Sequence, residues 1–399
     1  MLKKIIMPML TFVFLTAALS ASQKIVTFES SLTDKEEKIL EIKKLGGNPL
    51  KDLWLINAIT ATFPDDIKDS KIYSLKGVIR VEDDKYQNWL LNEENLSVKN
   101  LPTVGEMIET VKEESTIETP QAQNAVKTKS DKEVPWGVER VNAPAAWDFN
   151  QANGVKVAVV DTGVDYTHPD LAENYVDGYN ATDPSSPQID DHGHGTHVAG
   201  TIGAIKNGEG VVGVGPKVKI YGVKVLSASG SGSYSDVMDG IQWAVKNKMQ
   251  VINMSLGGRS TIESFHEVIK KAKEAGVTIV CAAGNDSGAV NYPAKYPETI
   301  AVSAGTSSNG IAYFSSRGPE IDFIAPGVSI YSTYKGGKYK KMSGTSMACP
   351  HVAGLAAMAA AAGNDTPDKV KESLKKAARD LGLAPEKQGF GLIDAAKIK

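Results

Sequence analysis

Three short stretches of the chain carry residue types whose chemistry is complementary. In Met342-Ser343-Gly344-Thr345-Ser346-Met347-Ala348-Cys349-Pro350-His351-Val352-Ala353-Gly354, a Gly–Thr pair delivers one Ser to the start of a run of small apolar residues. The run from Ala348 to Ala362 predicts a buried helix with Pro350 in its first turn. Ser346 then lies at a helix N-terminus, where unpaired N–H groups and the dipole favour developing negative charge. On its own such a Ser reads as an ordinary N-cap. It becomes a nucleophile only with a base to take its proton and a carboxylate to orient that base. Val157-Ala158-Val159-Val160-Asp161-Thr162-Gly163 offers the carboxylate, and His192-Gly193-His194-Gly195-Thr196-His197-Val198-Ala199-Gly200 offers three imidazoles. An imidazole suits the shuttle because it ordinarily titrates near ~6.5. A rival use of His-x-His-x-x-His is to hold a transition metal, which leaves Ser346 and Asp161 without a role.

In the chain order Asp, His, Ser, these blocks resemble the subtilisin family of serine proteases, over roughly residues 132–399. The Ser block is not the Gly-x-Ser-x-Gly elbow of α/β-hydrolases, since Ala348 stands where the second Gly belongs. The resemblance implies a serine endopeptidase with Asp161 as orienting acid, His194 as general base and Ser346 as nucleophile. It places His197 one turn into a helix and leaves His192 at the surface. Asn285, in Ala282-Ala283-Gly284-Asn285-Asp286, matches the family's oxyanion donor; alone it reads as a turn-forming Asn-Asp. Gly230, Ser231 and Gly232 match one substrate-binding edge, and Ser255, Leu256 and Gly257 the opposite one. Between them an extended peptide would add as a strand. Tyr234 and Val237 match a further apolar pocket, and an apolar primary pocket is expected to take large unbranched or aromatic side chains. For calcium, the resemblance implies Asp170 and Asn207 as side-chain ligands and Ile205, Glu209 and Val211 as carbonyl ligands, a set suited to a hard cation. Lys132 stands where the family usually has Gln at that site. A second cation site is unsupported, because Thr306 replaces an acid.

At 399 residues the chain has room for one large domain and a small one. It is 42% apolar and 23% charged, ordinary for a soluble globular protein. A net charge of −3 gives no electrostatic case for nucleic acid or an anionic membrane. The two cysteines, Cys281 and Cys349, exclude a disulfide framework but not one bridge; both sit in apolar runs, which favours buried thiols. Lys3 and Lys4, an apolar stretch from Ile5 to Leu19, and Ser20-Ala21-Ser22 read as a signal peptide over residues 1–22, and hence a secreted protein with no membrane attachment after processing.

The rest of the chain must position the chemistry. Residues 23–89 read as a small domain in the order β-α-β-β-α-β: strand Lys24–Phe28, a helix from the capping box Thr33-Asp34-Lys35-Glu36 to Gly46-Gly47, strand residues over Leu53–Phe63 with a turn near Asn57, a helix over Pro64–Leu75, and a strand ending at Val81. Val81-Glu82-Asp83-Asp84 resembles the close of the subtilisin-type propeptide, which implies an intramolecular inhibitor and folding template; an unrelated α+β accessory domain is the alternative. Residues 90–131, rich in Asn, Glu, Thr, Ser and Lys, read as a flexible linker, with the first self-cut expected between Asn88 and Leu91.

Residues 132–399 show strand-like runs at 155–160, 218–226, 250–255, 277–283 and 299–304. Helical patterns alternate with them at 197–205, 233–247, 346–361 and 367–378, plus one from the capping box Ser260-Thr261-Ile262-Glu263 to Gly276. That alternation predicts an α/β fold, a parallel sheet flanked by helices on both faces, with chemistry at the C-terminal strand ends. Asp161 and Asn285 both fall there. The expected product is a monomer that acts on proteins or peptides.

Overall fold

The computed structural model describes residues 21–90, 104–115 and 133–399. Most of the expected signal peptide, most of the linker, and Lys132 lie outside the described residues.

The small domain is a four-stranded antiparallel sheet in the order β2-β3-β1-β4. Its elements are β1 (Ala21–Phe28), α1 (Lys35–Lys43), β2 (Asn48–Leu53), β3 (Ala58–Pro64), α2 (Asp69–Ile72) and β4 (Val78–Asp83). Strand β1 already includes Ala21 and Ser22, which pair with Pro64 and Phe63. The cap of α1 is Asp34, whose carboxylate accepts the Glu37 N–H at 2.9 Å, one residue later than the Thr33 box. Helix α2 is a single turn that starts at Asp69, and Pro64 still belongs to β3. Asn57 sits in the left-handed region (φ 54°) and its amide donates to the carbonyls of Phe28, Glu29 and Leu32, so the expected turn is held from both sides. Val26, Phe28, Ile42, Ile59, Phe63 and Ile72 fill the domain's own core.

The large domain carries a seven-stranded sheet, all parallel, in the order β13-β12-β11-β10-β6-β8-β7. The short helix α4 (Trp136–Arg140) enters it. Its strands are β6 (Lys156–Asp161), β7 (Tyr175–Asn180), β8 (Lys219–Lys224), β10 (Val251–Met254), β11 (Thr278–Ala282), β12 (Ile300–Gly305) and β13 (Phe323–Pro326). Around it lie α5 (His194–Gly203), α6 (Tyr234–Lys246), α7 (Glu263–Glu274), α8 (Thr345–Ala361) and α9 (Pro367–Ala377). Two apolar clusters fill its two faces: Val157, Val159, Val198 and Val352 belong to one, and Ala158, Val160, Ile241 and Phe265 to the other. Successive strand residues point to opposite faces, so both faces being covered explains the unbroken apolar runs. A separate antiparallel hairpin joins β14 (Ile330–Tyr334) to β15 (Lys338–Met342). Cys281 and Cys349 are free and buried. No helix among the described residues is long and apolar enough to cross a membrane.

Three boundaries differ from expectation. Helix α8 begins at Thr345, so Pro350 lies in its second turn and not its first. Helix α5 starts at His194, three residues earlier than the pattern suggested. The Ser260–Glu263 box does not cap α7: the N-cap position is Ile262, with no side-chain bond of its own. Glu82 of the small domain caps α7 instead, accepting the N–H of Glu263 at 2.7 Å and of Ser264 at 3.1 Å.

That cap is one part of a broad junction. Ile25, Leu53, Ile56 and Ala58 of the small domain share an apolar cluster with Met238, Ile241 and Phe265 of α6 and α7. Asp84 accepts the Ser235 N–H at 2.9 Å, Lys51 pairs with Asp236, and Arg80 with Glu267. The short strand β5 (Tyr86–Asn88) then pairs antiparallel with β9 (Ser231–Ser233).

The segment expected to be a featureless linker contains a helix, α3 (Val104–Ser115). Glu106 reaches Arg317 at 3.3 Å and Lys387 at 2.8 Å, and Glu109 bonds Ser308. The helix is therefore docked on the large domain, with Glu106 between two cations and Glu109 on a hydroxyl.

Candidate active site

Asp161 is the last residue of β6 and has no exposed surface. Its Oδ1 accepts the Thr162 N–H at 2.7 Å and lies 2.7 Å from His194 Nδ1. His194 opens α5, and one residue that sequence reasoning missed shapes that opening. Asp190 Oδ1 accepts the N–H groups of His192 (3.0 Å) and Gly193 (2.7 Å). Its Oδ2 accepts Thr196 N–H (2.9 Å) and the Thr196 hydroxyl (2.6 Å). One carboxylate thus satisfies the donors that a helix start leaves unpaired. The signal was an acid four residues before the helix. Gly193 has φ 110°, and a Cβ there would lie 2.3 Å from the Tyr334 ring; one on Gly195 would lie 2.1 Å from Gly163 O. Only glycine lets the imidazole sit this close to the sheet edge.

Burial is the largest single influence on His194 and pulls its pKa down. The charge and hydrogen bond of Asp161, with the charge of Asp190, more than offset it, so the ring titrates above its ordinary value. His197 is a different case. Its Nε2 donates to the carbonyls of Ile330 and Lys340, each at 3.0 Å, and burial drops its pKa to about 3. It is a neutral brace for the β14–β15 hairpin. His192 is partly buried, not at the surface as expected, and its Nδ1 accepts the His194 N–H at 3.3 Å. The rings thus serve separate bonds, and no three His, Cys, Asp or Glu side chains among the described residues are grouped as a metal would need.

Ser346 is the second residue of α8. Helix geometry would bond its carbonyl to the N–H of residue 350, but Pro350 has none. The Ser255 hydroxyl fills that role at 2.9 Å, while the Ser346 hydroxyl donates to Ser255 O at 3.0 Å. Among the described residues no hydrogen bond joins the Ser346 hydroxyl to His194, since that hydroxyl is turned to Ser255 O. Asn285 Oδ1 accepts both the N–H (2.8 Å) and hydroxyl (2.9 Å) of Thr345, which leaves Nδ2 as the end free to donate. Asp161 ends β6 and Ser255 directly follows the neighbouring strand β10, so the acid–imidazole pair and the Ser–Asn pair occupy one edge of the sheet.

The expected substrate edges are occupied by the chain itself. Gln87 and Asn88 pair with Gly232 and Ser231, and Trp89 N–H donates to Gly230 O at 3.0 Å. From the other side Gly257 N–H donates to Trp89 O at 3.0 Å. The Trp89 ring, 1% exposed, stands edge-on to Tyr234 at 5.0 Å, and its Nε1 donates to Gly232 O at 2.9 Å. Val237 belongs to the same apolar cluster. Trp89 also bounds a cavity walled by Leu256, Gly257, Gly284, Asn285 and Ser346. Its wall is not wholly apolar as anticipated: Asn291 lines it, 2% exposed, with its Nδ2 partnerless among the described residues.

Of the expected calcium ligands, Asp170 and Asn207 meet at 3.1 Å, and the Val211 N–H and the Tyr339 hydroxyl reach the same Asp170 carboxylate at 3.0 and 2.8 Å. Ile205 N–H donates to Asp170 O at 2.9 Å, and Glu209 N–H to Asn207 Oδ1 at 2.9 Å. Glu133 secures the loop by accepting from Asn207 and Gly208 N–H groups at 2.8 and 2.9 Å. The side-chain donor set is oxygen and amide without sulfur or imidazole, which fits a hard cation.

The family model for subtilases matches residues 152–391, spanning Asp161, His194, Asn285 and Ser346. The chain belongs to the subtilase family. It is 50% identical over 233 residues to Subtilisin E of Bacillus subtilis, covering 56% of this chain and 60% of that protein. It is 38% identical over 376 residues to M-protease of Shouchella clausii, covering 93% and 94%. It is 44% identical to Alkaline protease of Alkalihalobacillus alcalophilus over 277 residues, covering 68% and 72%. Against several subtilisins the match thus spans only 60% of the relative's length. The match to M-protease, covering 93% of this chain, extends through the small domain.

Proposed function

We propose that this subtilase is a secreted serine endopeptidase, made as a self-processed zymogen and active as a monomer on proteins and peptides. The observation that carries the reading is the 2.7 Å bond between a buried carboxylate and His194 on the sheet edge that also holds Ser346. Ser346 Oγ attacks the scissile carbonyl as its proton passes to His194 Nε2. Asp161 holds the tautomer and stabilises the imidazolium. The tetrahedral oxyanion accepts from Ser346 N–H and Asn285 Nδ2; losing one such donor costs ~10²–10³ in turnover. The proton moves to the leaving amine, and water then repeats the sequence on the acyl-enzyme.

Residues 23–89 act as the inhibitor, with Tyr86–Trp89 held between both substrate edges. Calcium would be held by Asp170, Asn207 and the carbonyls of Ile205, Glu209 and Val211, where it would tie the 205–211 loop to the large domain.

The test is expression of wild type and Ser346→Ala in parallel, with the N-terminus of each product sequenced and each treated with a fluorophosphonate probe. Wild type should lose its N-terminal segment and take the probe; Ser346→Ala should do neither. Identical maturation of both would defeat the self-processing reading, and labelling of both would defeat Ser346 as nucleophile.

A further inference from the structure

The polar groups on the wall of the cavity beside Ser346 can be followed one by one. Trp89 Nε1 donates to Gly232 O at 2.9 Å. The Thr345 N–H and hydroxyl both go to Asn285 Oδ1, and the Ser346 hydroxyl goes to Ser255 O. Asn285 Nδ2 has the oxyanion to serve in the proposed mechanism. Leu256, Gly257, Ala282 and Gly284 bring no polar side chain, and no charged side chain among the described residues lines the cavity. Asn291 is the wall residue still to be placed.

Its backbone is tied to both neighbouring walls. Asn291 N–H donates to Ala283 O at 2.8 Å, and the adjoining Tyr292 exchanges two backbone bonds with Gly258, each 2.9 Å long. The side chain stands between two glycines. A Cβ on Gly257 would lie 3.5 Å from Asn291 Cβ, and one on Gly284 would lie 2.4 Å from Asn291 Nδ2. Glycine at 284 thus leaves space for the amide where any other residue would displace it. Ser316 Oγ, 2.8 Å from the same point, is turned to Asp286 Oδ1, to which it donates at 2.6 Å. Nδ2 is left buried with no acceptor among the described residues. A buried amide in that state is destabilising, and an acceptor brought by a ligand relieves it.

Trp89 is the wall residue that the small domain supplies. Its departure with residues 23–89 opens the cavity to a bound peptide. The walls that stay include both Ser346 and Asn285. The side chain that enters is therefore the one on the residue whose carbonyl Ser346 attacks.

We infer that Asn291 is a specificity-determining residue of this cavity and that it selects Gln immediately before the cut. Gln ends in a donor and an acceptor on a flexible stem, so it answers either end of the Asn291 amide. Met has a similar length but offers only a weak acceptor. Glu would bring a charge to a wall that holds no cation. The inference rests on the endopeptidase reading and adds a substrate class to it.

The test uses mature wild-type enzyme and three quenched peptides that differ only in carrying Gln, Met or Glu immediately before the scissile bond, with the cut position confirmed by mass spectrometry. Wild type should cleave the Gln peptide with a kcat/KM about three- to tenfold above Met, with Glu below Gln by about tenfold or more. Asn291→Leu keeps the size of the side chain and removes its amide, so the Gln-to-Met ratio should fall about tenfold. The wild-type ranking decides by itself if that variant does not fold. A wild-type Gln-to-Met ratio of one or less, Glu cleaved as fast as Gln, or a Gln-to-Met ratio unchanged in the variant would each overturn the inference while leaving the endopeptidase reading intact. Cleavage of none, with no fluorophosphonate labelling, would overturn both.

Discussion

Asp161 meets His194 with one oxygen only: Oδ1 lies 2.7 Å from Nδ1, while Oδ2 is buried with no hydrogen-bond partner among the described residues. The imidazole is thus the main side-chain group answering that carboxylate. A buried carboxylate with so few partners, the Thr162 N–H and the imidazole, acts strongly on both. This explains why His194 titrates above its ordinary value although burial works against its charged form.

The pH profile follows from that sign. In the proposed mechanism His194 must be neutral to accept the Ser346 proton, so activity should fall as pH drops through the raised pKa. The acid limb of kcat/KM should therefore lie above ~6.5. Asp161→Asn removes the charge that raises the pKa but leaves the burial that lowers it. The limb should move to lower pH while kcat falls by about 10⁴. A pH–rate profile of both enzymes checks this; an unmoved limb in the variant would show that Asp161 does not set the titration.

Asp190 should matter nearly as much to structure as Asp161 does to chemistry. It accepts four hydrogen bonds at the start of α5. Asp190→Ala leaves these buried donors unpaired, at about 1–3 kcal/mol for each that water cannot reach. Thermal unfolding should shift down clearly, and amide exchange at His192–Thr196 should rise. Protection there equal to wild type would mean the cap is dispensable.

Much of this site was legible in the residues, and what was not has identifiable causes. The buried strands β6, β10 and β11 announce themselves because both faces are apolar. Strand β7 lies at the sheet edge with a mixed, half-exposed surface, so its Tyr-Val-Asp-Gly-Tyr-Asn shows no run. Strand β13 is four residues long and ends in Pro326. The start of α5 was obscured because its cap acts from Asp190 across a left-handed glycine. Asn291 gave no signal, since an Asn between Val290 and Tyr292 reads as a turn until its amide is seen on the cavity wall.

The cap of α7 is a stronger instance, because it comes from 181 residues away in sequence. No local pattern around Ser260 could reveal that Glu82 supplies it. Glu82→Gln should weaken the hold on the first turn of α7 by about 1 kcal/mol, the usual scale for a charged cap. In an uncut Ser346→Ala background, amide exchange at Glu263 and Ser264 should rise several-fold, with α6 unchanged. Unchanged exchange at both amides would remove Glu82 from the cap.

The docked helix α3 gives the last prediction. Glu106 is largely covered and touches two cations, Arg317 and Lys387. Two partly buried, charge-assisted contacts should hold the helix better than an exposed pair would. Glu106→Lys replaces both attractions with repulsion, so α3 should detach without disturbing the sheet. In the Ser346→Ala background, limited proteolysis by an added protease should then cut within 104–115 much faster than in the Glu106 parent, while the unfolding temperature of the large domain stays near its original value. Equal cutting rates would mean that the helix is held by contacts other than Glu106. A falling unfolding temperature would mean that the helix contributes to the fold itself, not only rests on it.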